Sequence, residues 1–216
     1  MLHRSTFLIC MLFLNIIISS SALAVDTSNE NYRFENIKLA NGGGASYFKG
    51  DSEKAAIFSP GSRYGKESFY FLGDRLQKLN IGSVSTGGSS SDIHAAITFL
   101  KGKGYSKIAL VGGSMGGEAV LGVLQEGIDE SVFKVIVLAP FGGNPIKSDT
   151  IDKLFIVAQK DGIVSSSDIV SLFERSSEPK TIKIYEKSRA HAQELFASKR
   201  TKNDVTDLIV KFINSQ

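Results

Sequence analysis

Apolar and polar positions follow two periods along this chain. Short runs rich in β-branched and aromatic residues predict strands at residues 55–59, 81–85, 107–111, 133–139, 154–158 and 180–185. Between them the spacing changes to that of amphipathic helices. Residues 66–79 place Phe69, Leu72, Leu76 and Leu79 on one side, and residues 92–101, 117–124, 166–175 and 204–214 read the same way, with Asp92 and Ser166 as expected caps. Upstream, residues 34–39 and 45–48 flank Asn41-Gly42-Gly43-Gly44, which predicts a hairpin. No helix start and no Lys-Ser/Thr pair follows those glycines, so they form a turn and not a phosphate cradle. Buried strands alternating with amphipathic helices imply a three-layer α/β/α sandwich around a mostly parallel sheet. No internal repeat or linker interrupts residues 32–216.

The first residues depart from this pattern. Met1 to Arg4 is a short basic start, residues 7–18 are almost wholly apolar, and Ala22-Leu23-Ala24 fits a small-residue cleavage site. This predicts an export signal cleaved after Ala24, because the apolar run is shorter than the roughly 20 residues a spanning helix needs. The expected mature chain is one domain, residues 25–216, secreted or periplasmic and without a stable membrane anchor. Cys10, the only cysteine, would leave with the signal, so the fold must rest on its core instead of on disulfides. The formal charge of +3 falls by one when Arg4 is removed, and no basic block or stacking pattern accompanies it. Nucleic acid is therefore not an expected partner.

Candidate chemistry centres on Gly112-Gly113-Ser114-Met115-Gly116, directly behind the strand 107–111 and directly before the helix 117–124. Gly-x-Ser-x-Gly at a strand-to-helix turn is the setting of a nucleophile elbow, where glycines leave room for a strained serine to project its Oγ. The hydroxyl needs a base. His3 leaves with the signal and His94 falls on a helix upstream of the elbow, whereas His191 follows the strand 180–185 in a short loop. The base in turn needs a carboxylate. Asp161 lies just past the strand 154–158, whereas Asp152 precedes that strand and Asp168 sits in the first turn of a helix. The N–H of Met115 and the N–H of Ser62, in Ser59-Pro60-Gly61-Ser62-Arg63, are the expected oxyanion donors. A plain turn at Pro60-Gly61 is the alternative for that loop.

The segments KIALVGGSMGG, IVAQKDGIV and SRAHAQELF resemble the nucleophile, acid and histidine segments of the α/β-hydrolase superfamily, in particular its small lidless members similar to dienelactone hydrolases and short-chain carboxylesterases. The resemblance spans roughly residues 55–214 and includes the chain order Ser, Asp, His. It implies Ser114 as nucleophile, Asp161 as acid, His191 as base, and Met115 and Ser62 as oxyanion donors. Two segments differ from many relatives: Pro60-Gly61 stands where they carry His-Gly, and Ser85-Thr86-Gly87-Gly88 replaces an Asp-x-Arg-Gly-like segment. A nucleophilic Ser in place of the Cys of true dienelactone hydrolases argues for hydrolysis of other esters.

Only residues 140–153 separate two strands where a lid usually grows, so a small-molecule ester at an open site is the expected substrate. Phe141, Ile163 and Val164 are expected wall residues, with Arg63 and Tyr64 near the oxyanion loop; Arg63 either meets an acidic substrate or is a solvated surface arginine. No metal or other cofactor is expected. Acyl transfer, peptide cleavage and non-catalytic binding on the same fold stay open on the sequence alone.

Overall fold

The computed structural model of the protein describes residues 31–216. The expected export segment and the cleavage after Ala24 lie outside the described residues. β1 (Glu35–Lys38) and β2 (Gly44–Phe48) form the antiparallel hairpin, closed by Gly42 at φ +88 and by the Leu39 N–H donating to the Gly43 carbonyl at 2.8 Å. A side chain at that φ would be strained, which is why glycine serves there.

The remaining strands are β3 (Lys54–Ser59), β4 (Gly82–Ser85), β5 (Lys107–Gly113), β6 (Val132–Leu138), β7 (Asp152–Ala158) and β8 (Lys180–Tyr185). The sheet order is β1-β2-β4-β3-β5-β6-β7-β8, and every pairing from β4 to β8 is parallel. Helices α1 (Tyr70–Gln77, entered through a 3-10 turn at Lys66–Phe69), α2 (Ser90–Gly102), α3 (Met115–Glu126), α4 (Ser166–Arg175), α5 (Glu194–Ala197) and α6 (Lys202–Asn214) supply the crossovers and coverings. The interior strand positions are fully enclosed, as in Ile108 to Val111 and Val135 to Leu138. That accounts for their continuous apolar runs, since a parallel strand has helices on both faces. Among the described residues no helix is long and apolar enough to cross a membrane.

Three boundaries differ from the sequence reading, each for a local reason. Ser89, and not Asp92, caps α2: its hydroxyl accepts the Asp92 N–H at 3.1 Å while the Asp92 carboxylate takes the Ser89 N–H, a reciprocal pair that starts the helix earlier. Ser165 caps α4 in place of Ser166. Most consequentially, β5 runs on through Gly112 and Gly113, pairing with Val137 and Leu138, and α3 begins at Met115. Strand and helix are therefore joined by one residue, Ser114.

Candidate active site

A single-residue junction between strand and helix demands an unusual backbone. Ser114 has φ 53 and ψ −121, outside the ordinary regions for a residue with a side chain. Its neighbours hold it there: the Ser114 N–H donates to the Leu138 carbonyl at 2.9 Å, and its own carbonyl accepts the N–H groups of Glu118 at 3.0 Å and Phe141 at 3.2 Å. A Cβ on Gly116 would collide with the carbonyls of Ser59 and Pro60, and one on Gly112 with the backbone of Gly116 and Gly117. The two motif glycines thus let α3 sit against the loop that follows β3.

His191 and Asp161 reach Ser114 from the ends of β8 and β7. Asp161 has its side chain fully enclosed, and its Oδ1 accepts the N–H groups of Ile163 at 2.8 Å and Val164 at 3.1 Å. His191 Nδ1 meets Asp161 Oδ2 at 2.9 Å and Oδ1 at 3.1 Å, while Nε2 meets Ser114 Oγ at 2.8 Å. A carboxylate only accepts, so the neutral imidazole carries its proton on Nδ1, and Nε2 is left to accept from the Ser114 hydroxyl. A serine hydroxyl, an imidazole and a buried carboxylate linked in this sense can pass a proton from Oγ to the ring and hold the resulting imidazolium. The histidine segment is anchored from behind by Leu195 and Phe196, both buried, the latter edge-on to Phe69 and Phe71. His94 lies elsewhere, on α2 with Nε2 2.8 Å from Glu126.

The loop after β3 turns tightly, the Tyr64 N–H donating to the Gly61 carbonyl at 2.9 Å. A Cβ on Gly61 would stand 2.9 Å from Ser114 Cβ, so glycine is what allows this loop to touch the serine. The Gly61 N–H is already taken by Gln193 Oε1 at 3.1 Å. Among the described residues, the N–H groups of Ser62 and Met115 donate to no other group, and both residues border the cavity in front of Ser114. Thr86 stabilises the neighbouring turn, its hydroxyl donating to the Phe58 carbonyl at 3.1 Å, and a Cβ on Gly88 (φ +102) would meet the Pro60 carbonyl. The Ser85-Thr86-Gly87-Gly88 segment is thus a support for this loop.

The cavity itself is about 250 Å³, bounded by residues 61–64, Ser114, Met115, Phe141, Ile163, His191 and Glu194. Arg63, Tyr64, Phe141 and Ile163 border this cavity. Val164 does not: it lies partly buried against the core and lines an adjoining depression, its backbone N–H turned to Asp161. Glu194 was missed. Its carboxylate accepts the backbone N–H of His191 at 2.9 Å and, together with burial as the larger cause, raises the Tyr64 hydroxyl above its usual pKa. A glutamate three residues after a turn residue is the visible signal of such a capping contact. A larger open depression, about 800 Å³, lies on the other side of the histidine loop and holds neither Ser114, Asp161 nor His191.

An eight-stranded, mostly parallel sheet with a serine at the β5–α3 turn defines the α/β-hydrolase fold, here without a helix between β6 and β7. Solved structures of similar fold include esterases and other hydrolases. The chain is similar to an esterase from Exiguobacterium antarcticum (TM-score 0.68, 13% identity, covering 85% of this chain and 100% of that one). It is also similar to an esterase domain from Rhodothermus marinus (0.65, 18%, 83% and 96%) and to a monoacylglycerol lipase from Paleococcus ferrophilus (0.64, 12%, 78% and 97%). Neither a protein-family model nor a curated protein sequence matches the chain.

Proposed function

We propose that the protein is an exported serine hydrolase of small or solvent-exposed carboxylic esters. The observation that carries this reading is the continuous hydrogen-bonded chain from Ser114 Oγ through His191 to the enclosed Asp161, with Ser114 and His191 both bordering the cavity. Ser114 Oγ attacks the ester carbonyl carbon as His191 Nε2 takes its proton, and the carbonyl oxygen becomes an oxyanion facing the free N–H groups of Met115 and Ser62. Collapse of this intermediate breaks the C–O bond, the alcohol leaves with the proton from Nε2, and the acyl group stays on Ser114. Water, deprotonated by His191, then attacks the acyl carbonyl; the acid departs and Ser114 regains its proton. Asp161 remains ionised throughout and stabilises the imidazolium. The basic, apolar and small-residue pattern of the first 24 residues supports export.

Cavity size and openness support the substrate class. About 250 Å³ is below the roughly 300–1,000 Å³ of sites that enclose drug-sized ligands. Met115, Phe141 and Ile163 are 51%, 59% and 43% exposed, so they offer an apolar rim and not a tunnel. A panel of p-nitrophenyl esters tests this: acetyl and butyryl esters are expected to turn over faster than dodecanoyl or longer ones, with rates following dissolved substrate smoothly through the micelle concentration. Faster turnover of long-chain emulsions, with a jump at that concentration, would overturn the open-site reading.

A further inference from the structure

Gln193 is a fully buried amide two residues beyond His191, and no step above uses it. Burying an amide costs free energy unless its donor and acceptor are met, so a glutamine here implies specific partners. It has them at both ends. Oε1 accepts the Gly61 N–H at 3.1 Å, Nε2 donates to Ser68 Oγ at 3.0 Å, and the Ser68 hydroxyl passes the chain on to the Gly65 carbonyl at 2.8 Å. One side chain thereby grips residues 61–65 at both ends, and this is the turn that carries Ser62, Arg63 and Tyr64 along the cavity. The surroundings are shaped to admit it: a Cβ on Gly113 would lie 2.6 Å from Oε1, and one on Gly61 would lie 3.1 Å from it. Gly113, the first x of the elbow motif, thus leaves room for this amide, a role separate from those of Gly112 and Gly116.

We propose that Gln193 is the positioning residue of the oxyanion loop, setting the Ser62 N–H relative to Ser114. The inference rests on the serine-hydrolase reading. The amide acts by fixing the Pro60–Gly61 peptide through the Gly61 N–H, and the turn bond from the Tyr64 N–H to the Gly61 carbonyl carries that constraint on to the direction of the Ser62 N–H. Because Gln193 and His191 share one backbone turn, with Ala192 between them at φ 44, the base and the loop bearing the second oxyanion donor move as one body. A donor displaced by about 1 Å loses much of its effect on a developing oxyanion while scarcely altering ground-state binding.

The test is Gln193→Met, which keeps length and removes both hydrogen bonds, measured beside Gln193→Glu, whose neutral acid form keeps one acceptor and one donor. For Gln193→Met, kcat is expected to fall about 10- to 100-fold with KM within about threefold, part of the 10²–10³ that a lost oxyanion donor costs. The affinity for a trifluoromethyl ketone, which forms a tetrahedral oxyanion on Ser114, should fall by the same factor, while that for the corresponding unreactive alcohol is unchanged. Gln193→Glu should recover activity to within about fivefold of the parent. Retention of kcat and ketone affinity within about twofold in Gln193→Met, or equal loss of ketone and alcohol binding, would overturn the proposal. Should Gln193→Met fail to fold, Ser68→Ala replaces it: a kcat fall of about three- to tenfold, matched by the ketone and not by the alcohol, supports the proposal, and an unchanged kcat overturns it. Ser114→Ala separates the two claims, since turnover persisting in that variant sinks the hydrolase reading, whereas an inactive Ser114→Ala beside fully active Gln193 variants sinks only the positioning role.

Discussion

Ser114→Ala is expected to lower kcat for ester hydrolysis by a factor on the order of 10⁴ to 10⁶, with a melting temperature close to that of the parent. The substitution removes one hydroxyl at the edge of an open cavity and leaves the elbow's backbone contacts with Leu138, Glu118 and Phe141 in place. Surface changes of that kind usually shift stability by less than about 0.5 kcal/mol. His191→Ala should cost as much, because without Nε2 the hydroxyl keeps its proton. The double variant should be little worse than either single one, since a nucleophile and its base act as a unit. Steady-state kinetics on the best short-chain ester, with thermal melts of each variant, check this set.

Asp161→Asn should cost about 10⁴ in kcat, and the geometry dictates why. Oδ1 accepts two backbone N–H groups, from Ile163 and Val164, so in asparagine the carbonyl oxygen must occupy that place. The NH₂ group then falls where Oδ2 stood, 2.9 Å from His191 Nδ1. A donor facing Nδ1 requires that nitrogen to be unprotonated, which moves the ring proton to Nε2. Nε2 then points a hydrogen at Ser114 Oγ and can no longer accept from it. The loss should appear in kcat with KM and folding nearly unchanged; a loss confined to stability would indicate that Asp161 serves only the loop 161–164.

The central strands were legible in the sequence because a strand enclosed by helices on both faces needs apolar residues at nearly every position, as the runs at 107–111, 133–139 and 154–158 show, whereas 180–185 mixes polar with apolar residues because β8 is a partly buried edge strand. The elbow was legible because strand, glycines and helix are contiguous. Boundaries that depend on one side chain were not: Asp92 reads as the start of α2, whereas Ser89 is its cap and Asp92 returns the bond from the first turn. Gln193 and Glu194 escaped notice because AQELF reads as one turn of helix, and the partners of Gln193 lie 125 and 132 residues away. Val164 was misplaced because loop residues after β7 follow no period, and the two N–H groups bonded to Asp161 turn that loop so that Ile163 faces the cavity and Val164 the core side.

The central claim is that Ser114 is a nucleophile activated by His191, and covalent capture tests it most directly. The protein is treated with a fluorophosphonate, its intact mass is measured, and the modified peptide is sequenced. One phosphonyl group per molecule is expected, on Ser114, with labelling abolished in Ser114→Ala and slowed by orders of magnitude in His191→Ala, and with ester hydrolysis lost in step with the gain of label. A folded protein that hydrolyses esters yet stays unlabelled, or that carries the label on a residue other than Ser114, would contradict it.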